Sequence, residues 1–251
     1  MTAARALSLG ILLLALSVTA SARETPRFAL EIEAGSVRQS RNDVQIPNDP
    51  SGTRFSLRDL AGGGPWAVGR LYASWRISER RTLRAMVAPL SVTETGVLAR
   101  SIDFAGATYQ PTVPTEGTYK FNSYRLSYRY RFHEGARWTW WTGFTAKIRD
   151  AKIELRQGNT TSRKTDLGFV PLLHVAGDWR FAPRWRLSLD ADALAGGPGR
   201  AEDVALKLAR DIGDRWTLAS GYRTVEGGAD VKDVYTFAWF HYTVLSAAYR
   251  F

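Results

Sequence analysis

An all-β fold, an antiparallel up-and-down transmembrane β-barrel of ten strands, is what this sequence predicts, on three observations. The first is the closing stretch Asp233 to Phe251, DVYTFAWFHYTVLSAAYRF, in which every second residue back from Phe251 is mostly apolar and the aromatics cluster at both ends. A period of two makes a strand with two unlike faces. Aromatic rings at both ends of an apolar stripe suit two membrane interfaces. The second observation is that charges along the chain fall almost wholly on one strand parity and apolar residues on the other. The third is that four short polar turns alternate with five longer connections, the asymmetry of a membrane barrel.

The elements follow in order. Met1 to Arg5 is a short basic start, Ala6 to Val18 is apolar, and Ala20-Ser21-Ala22 is a small-residue cleavage pattern. That apolar run falls short of the ~20 residues a membrane helix needs. It predicts a secretory signal peptide over 1–22, to be set apart from the fold, and one barrel domain over 23–251, 229 residues long. Strands are predicted over 27–37, 66–77, 82–93, 118–132, 138–156, 166–181, 185–195, 203–210, 216–225 and 233–251. RISERRTLR (76–84), RFHEGARWTW (131–140), RFAPRWRLS (180–188) and RDIGDRWTLA (210–219) are the short turns. The longer connections span 38–65, 94–117, 157–166, 196–202 and 226–232, and each holds turn formers such as Pro47, Asn48, Gly62 to Gly64, Pro111, Gly158, Gly196 and Gly227. An eight-strand count demotes the weak 203–210 segment and a neighbour; a twelve-strand count recruits Phe104 and Tyr109 from 94–117. Within 38–65, Ser56 and Asp59 stand three apart between Phe55 and Leu60, with glycines beyond. Either a short capped helix lies over the barrel mouth, or this is a solvated loop.

Parity then assigns the faces. Outward sets are Phe28, Leu30, Ile32; Leu71, Ala73, Trp75; Tyr124, Leu126, Tyr128; Trp138, Trp140, Phe144, Ile148; Leu167, Phe169, Leu173, Trp179; Trp185, Leu187; and Trp216, Leu218, Tyr222. Trp138, Trp185, Trp216, Tyr249 and Phe251 are expected at the membrane interface near the turns. The opposite parity holds Glu31, Glu33, Arg70, Arg84, Arg125, Arg129, Lys147, Arg149, His174, Asp178, Arg180, Arg186, Asp190, Asp192, Lys207 and Arg223. A soluble sandwich shows the same alternation with the apolar set buried. The interfacial aromatics, the terminal Phe and the turn–loop asymmetry favour the membrane. Mixed charges inside a narrow barrel predict a salt-bridged plug, since small barrels are filled by side chains; Arg-rich pores otherwise favour anions.

The terminal Phe251, with Tyr249 and apolar residues at alternate positions before it, resembles the closing strand of bacterial outer-membrane β-barrels. More loosely, the whole mature chain is similar to the small OmpA/OmpX/OmpW type and to a group of proteobacterial barrel proteins. The resemblance implies export through the periplasm to the outer membrane, contact with its lipid including lipopolysaccharide, and recognition of the C-terminal strand by the barrel-assembly machinery. The chain has no Cys, which excludes disulfides, thiolate metal sites and a lipidated N-terminal Cys. Its formal charge is +10, or +9 without Arg5. A basic balance points to nucleic acid or an anionic surface. For an exported barrel the partner is phosphorylated outer-leaflet lipid rather than nucleic acid, or else the excess arginines fill the lumen and the loop rims.

Chemistry-bearing residues are few. Of three histidines, His133 falls in a predicted turn, His174 belongs with the lumen charges, and His241 has outward parity with Thr243 two residues on. Lipid A deacylase barrels place a His and a Ser two apart on a lipid-facing strand; His241-x-Thr243 is similar but carries Thr. A Thr nucleophile needs a base within hydrogen-bond reach. Omptin-type proteases have ten strands and an Asp/His site among outer loops, and no predicted outer loop here holds a His. No His/Asp/Glu group has metal spacing, and no cofactor is expected. The expected role is therefore a non-enzymatic structural or surface-interaction protein with a largely filled lumen. The alternatives are a lipid A-modifying enzyme resting on His241, or a small-solute channel of the OmpW type.

Overall fold

The computed structural model describes residues 26–197 and 199–251; the leader expected over 1–22 lies outside the described residues. The elements in order are β1 (Phe28–Gln45), β2 (Phe55–Ser56), α1 (Leu57–Ala61), β3 (Trp66–Arg76), β4 (Arg81–Ala88), β5 (Ser91–Val97), β6 (Ile102–Phe104), β7 (Ala107–Tyr109), β8 (Pro114–Glu134), β9 (Trp138–Gln157), β10 (Thr160–Ala182), β11 (Trp185–Gly196), β12 (Gly199–Ile212), β13 (Trp216–Val231) and β14 (Val234–Arg250). Each long strand pairs antiparallel with its neighbour, and β14 returns to β1, from Ala29 opposite Arg250 to Gln45 opposite Tyr235. The result is a closed ten-stranded barrel. β4 and β5 make one stave, interrupted at Pro89, which has no N–H to give the ladder. The four short turns predicted from sequence join the strands at one end, here the turn end. The other connections lie at the loop end.

The two faces separate barrel from sandwich. Outward residues are bare, with Leu167 76 %, Phe144 66 % and Leu245 65 % exposed, while Glu33 and Asp203 inside are 1 % and 3 % exposed. An apolar belt of that extent faces a membrane or a partner rather than water. Aromatic pairs brace the belt at the turn end: Trp138 stacks on Trp140 and Trp179, and Trp216 tilts against Tyr249. Trp185 lies under the Arg210 guanidinium, 5.2 Å from its ring centre. Phe251 is exposed and its N–H donates to Phe28 O at 2.8 Å, tying the chain end across the seam.

Several connections are far shorter than expected. The predicted loop 157–166 reduces to Gly158-Asn159, with Thr160 already opposite Gln157. The loop 226–232 reduces to Lys232-Asp233, and the loop 196–202 to positions 197–198. The strands run on past the apolar belt, and polar strand residues there carry no hydropathy signal. β1 likewise runs eight residues beyond Val37 to Gln45, through a bulge at Ser40 that puts Gln39 opposite Phe240 and Arg41 opposite Trp239.

The loop end is roofed. Ser56 accepts from the Asp59 N–H at 3.1 Å as the N-cap of α1, so the capped-helix alternative is the one realised. Leu57 and Leu60 join Val44, Ile46, Phe55, Leu98, Ile102, Phe104, Tyr109, Ile153 and Leu155 in one core. Phe104 and Tyr109, which the twelve-strand count would have used as barrel strands, form the separate β6–β7 hairpin. It is pinned by Tyr109 OH donating to Leu155 O at 3.0 Å and by Ser162 Oγ donating to Phe104 O at 2.8 Å. Gly96 admits the helix, because a Cβ there would fall 1.9 Å from Leu60 O. At the edge of this roof the Ser51 hydroxyl and backbone N–H both donate to Asp49, and they hold its carboxyl below the usual carboxylate value.

Candidate functional site

The lumen holds most of the predicted charges in a layer of several ion-paired networks. Asp203 on β12 is its centre: Arg70, Arg125 and Arg223, from three other strands, all reach its carboxylate, at 3.1, 2.7 and 2.5 Å. Glu33 takes Arg223 at 3.2 Å, Lys207 at 3.1 Å and Arg70 at 3.6 Å. Lys207 also donates to Glu31 at 2.6 Å. Arg125 continues to Asp192 at 2.8 Å, where His174 Nδ1 and the Thr145 hydroxyl meet the other carboxylate oxygen. Arg84 grips Asp190 with two hydrogen bonds of 2.7 and 2.8 Å, and Arg129 lies 3.9 Å from it. Arg186 bridges Asp178 and Asp211 at 3.3 and 2.8 Å.

Seven carboxylates (Glu31, Glu33, Asp178, Asp190, Asp192, Asp203, Asp211) thus face seven cations (Arg70, Arg84, Arg125, Arg129, Arg186, Lys207, Arg223), with Arg250 reaching Asp211 from the rim at 3.5 Å, and the layer is close to neutral as a set. Burial removes water from these groups, so each charge must find its partners inside the barrel. Tyr72 adds its hydroxyl as acceptor from Arg223 at 2.9 Å. Above the layer, Val37, Leu90, Val92, Val225, Phe240, Tyr242 and Val244 close the bore with apolar side chains. A cavity of about 250 Å³ lies below, lined by Glu31, Tyr72, Arg84, Arg129, Trp141 and Arg223 among others. Another of about 180 Å³ lies above, beside Tyr119, Phe121, Lys147 and Arg149. The space beside Arg70, Arg125 and Tyr242 between them holds only about 20 Å³, room for about one water.

Three expected members stand outside the layer. Lys147 sits above it with its ammonium 4.7 Å from the Phe121 ring centre. Arg149 pairs with Asp166 on β10 near the loop end. Arg180 is exposed at the turn end with no ion pair among the described residues. Two members were not anticipated. Asp203 has the parity of Lys207, four residues on, but stood at the edge of a weak strand. Asp211 was assigned to a turn.

The net charge gathers elsewhere. At the turn end Arg27, Arg76, Arg80, Arg81, Arg131, Arg137, Arg180, Arg184, Arg210, Arg215 and Arg250 outnumber Glu79, Glu134, Asp211 and Asp214. The excess therefore borders the lower edge of the apolar belt rather than the roof.

A second cluster lies on the outside of the barrel. His241 Nε2 is 2.7 Å from Ser40 Oγ across the β1–β14 seam, and its Nδ1 is hydrogen-bonded to the Tyr222 hydroxyl on β13. Trp239 packs against the imidazole at 5.2 Å between ring centres. Ser40 is the bulged residue of β1; it keeps the outward parity of Arg38 and is exposed, while beyond the bulge Asn42 and Val44 turn inward. Thr243, the residue expected to work with His241, lies one step down the outward face and shares no hydrogen bond with it among the described residues. Ser40 was hidden in the predicted loop 38–65, where no parity could be assigned. His133 is exposed at the turn end.

No protein-family model and no curated protein sequence matches the chain. Solved structures do. The outer-membrane protease OmpT of Escherichia coli aligns over 90 % of this chain and 98 % of its own, at 10 % identity and a TM-score of 0.51. The translocator domain of the autotransporter NalP from Neisseria meningitidis aligns over 91 % and 90 % at 12 % identity, with a TM-score of 0.43. Neisserial surface protein A covers 89 % and 97 % at 12 % identity, with a TM-score of 0.38. At such identities the likeness is one of fold, and the fold of this chain is that of the bacterial outer-membrane β-barrels.

Proposed function

We propose that the chain is an integral protein of the bacterial outer membrane whose bore is closed to solutes and which acts through its outer surfaces. The observation that carries this reading is the nearly neutral ion-paired layer around Asp203, with an apolar layer above it and a folded roof beyond. The cavities of about 180 and 250 Å³ share no lining residue. An even strand count leaves the start of β1 and the end of β14 with the short turns, the periplasmic side in barrels of this kind, and the roof then faces the cell surface. The turn-end arginines lie where the phosphates of inner-leaflet phospholipid would be, and lipopolysaccharide would surround the upper half of the belt. Recognition of the β14 end by the assembly machinery fits the exposed Phe251. The protease activity named for OmpT is not carried over: His133 lies at the turn end, His174 in the lumen and His241 on the outward face. Planar-bilayer recording of the purified full-length barrel tests the reading. No steady conductance above the bare bilayer is expected, and a large, lasting open level would overturn it.

A further inference from the structure

The outward cluster has the parts of a nucleophilic site. We propose that Ser40, His241 and Tyr222 form a hydrolytic centre on the lipid-facing wall, acting on the carboxylic ester of a long acyl chain in the outer leaflet. This goes beyond the closed-bore reading, which stands or falls by conductance alone. The geometry is that of an activated serine: Ser40 Oγ 2.7 Å from His241 Nε2, and the far ring nitrogen held by Tyr222 OH. With Nδ1–H donating to the tyrosine oxygen, Nε2 is left as the acceptor, the tautomer a general base needs. Ser40 keeps the outward parity of Phe28 to Arg38, and the bulge beside it leaves it unpaired in the register while the residues beyond it switch faces.

Depth selects the substrate. His241 stands ten residues before Phe251 on β14. At ~3.3 Å per residue and a tilt of ~40° this climbs roughly 25 Å, the height of a barrel's apolar band. With Phe251 at the lower interface, Ser40 therefore meets the upper one, where acyl ester linkages join chains to headgroups. Exposed Leu245 and Trp239 offer apolar surface beside the site, and Arg38, the register partner of His241, puts a cation level with it. In the reaction Ser40 Oγ bonds to the ester carbonyl carbon while His241 Nε2 takes the hydroxyl proton. The carbon–oxygen bond to the lipid alcohol then breaks, and that alcohol leaves with the proton from His241. Water, deprotonated in turn by His241, hydrolyses the acyl-serine to a free fatty acid and restores Ser40.

The test uses the full-length protein refolded in detergent micelles mixed with either purified lipopolysaccharide or palmitoyl-oleoyl phosphatidylethanolamine, with released fatty acid measured by mass spectrometry. Release from the first alone assigns the glycolipid, release from the second alone assigns the phospholipid, and release from both supports a general acyl esterase. Ser40→Ala and His241→Gln should lower release about 100-fold or more, the scale on which a positioned base contributes. Tyr222→Phe should lower it several-fold, and Thr243→Ala should leave it unchanged. A biotinylated fluorophosphonate should modify Ser40 and spare it in His241→Gln. The proposal fails if the folded barrel, judged by heat-modifiable gel mobility, releases fatty acid from neither lipid and leaves Ser40 unmodified. It fails equally if Ser40→Ala, with unchanged mobility, retains full release.

Discussion

Asp203 shows how one side chain can hold a barrel's interior. Its carboxylate accepts from Arg70, Arg125 and Arg223, each from a different strand. Removing its charge would leave three buried guanidinium groups short of a partner, a loss of the kind that costs about 3–5 kcal/mol. Asp203→Asn is therefore expected to lower the urea midpoint of the purified barrel, followed by tryptophan fluorescence, by that order of energy. The outward face obeys the opposite rule. Leu126 is 52 % exposed at mid-height on β8, and Leu126→Arg should cost about 2–4 kcal/mol in a bilayer; in detergent, where the charge can be solvated, the same substitution should be far milder. A comparison of the two solvents' unfolding midpoints measures the difference.

At the scale of elements, the roof is separable from the wall. Phe104 is fully buried in the roof core and meets Phe55 edge-on at 5.7 Å. Phe104→Ala should weaken the roof by about 3–5 kcal/mol, while Ser56→Ala, which loses the helix cap, should weaken it by about 1 kcal/mol. Trypsin cleavage after Arg54, Arg58 or Arg100 reads this local opening, and the barrel's gel mobility should not change. Element by element, legibility followed chemistry. The strands inside the apolar belt were evident from parity alone, while the α1 cap was one of two readings that Ser56 and Asp59 allowed. The strand extensions over 38–45, 160–165 and 226–231 were not. They are polar on both sides and owe their pairing to the neighbours beside them. Phe104 and Tyr109 carried a true apolar signal, but only the cavity under α1 decided that they would fold inward as a hairpin.

At the scale of the molecule, charge is sorted into three zones. The ion-paired layer of the lumen is close to neutral, the roof mixes signs, and the turn end is rich in arginine. Basic residues at an anionic bilayer surface contribute about 1 kcal/mol each. The barrel should therefore resist urea better in bilayers containing phosphatidylglycerol than in pure phosphatidylcholine. Replacing Arg137, Arg180 and Arg184 with Gln should erase most of that difference, as should raised salt; equal stability in the two bilayers would contradict the zoning.

The sequence by itself determined the class of fold, the outward face and the inward charge, because a pleated strand alternates sides at every residue and a membrane penalises each error of parity. It could not determine which charge meets which, since partners such as Arg70 and Asp203 lie 133 residues apart and come together only when the barrel closes. The same closure brings Ser40 to His241, 201 residues away in the chain. Ser40 keeps the outward parity of Arg38, but the polar run 38–45 carries no hydropathy signal that a strand reaches it, so the serine beside that histidine was decided by the seam between the first strand and the last.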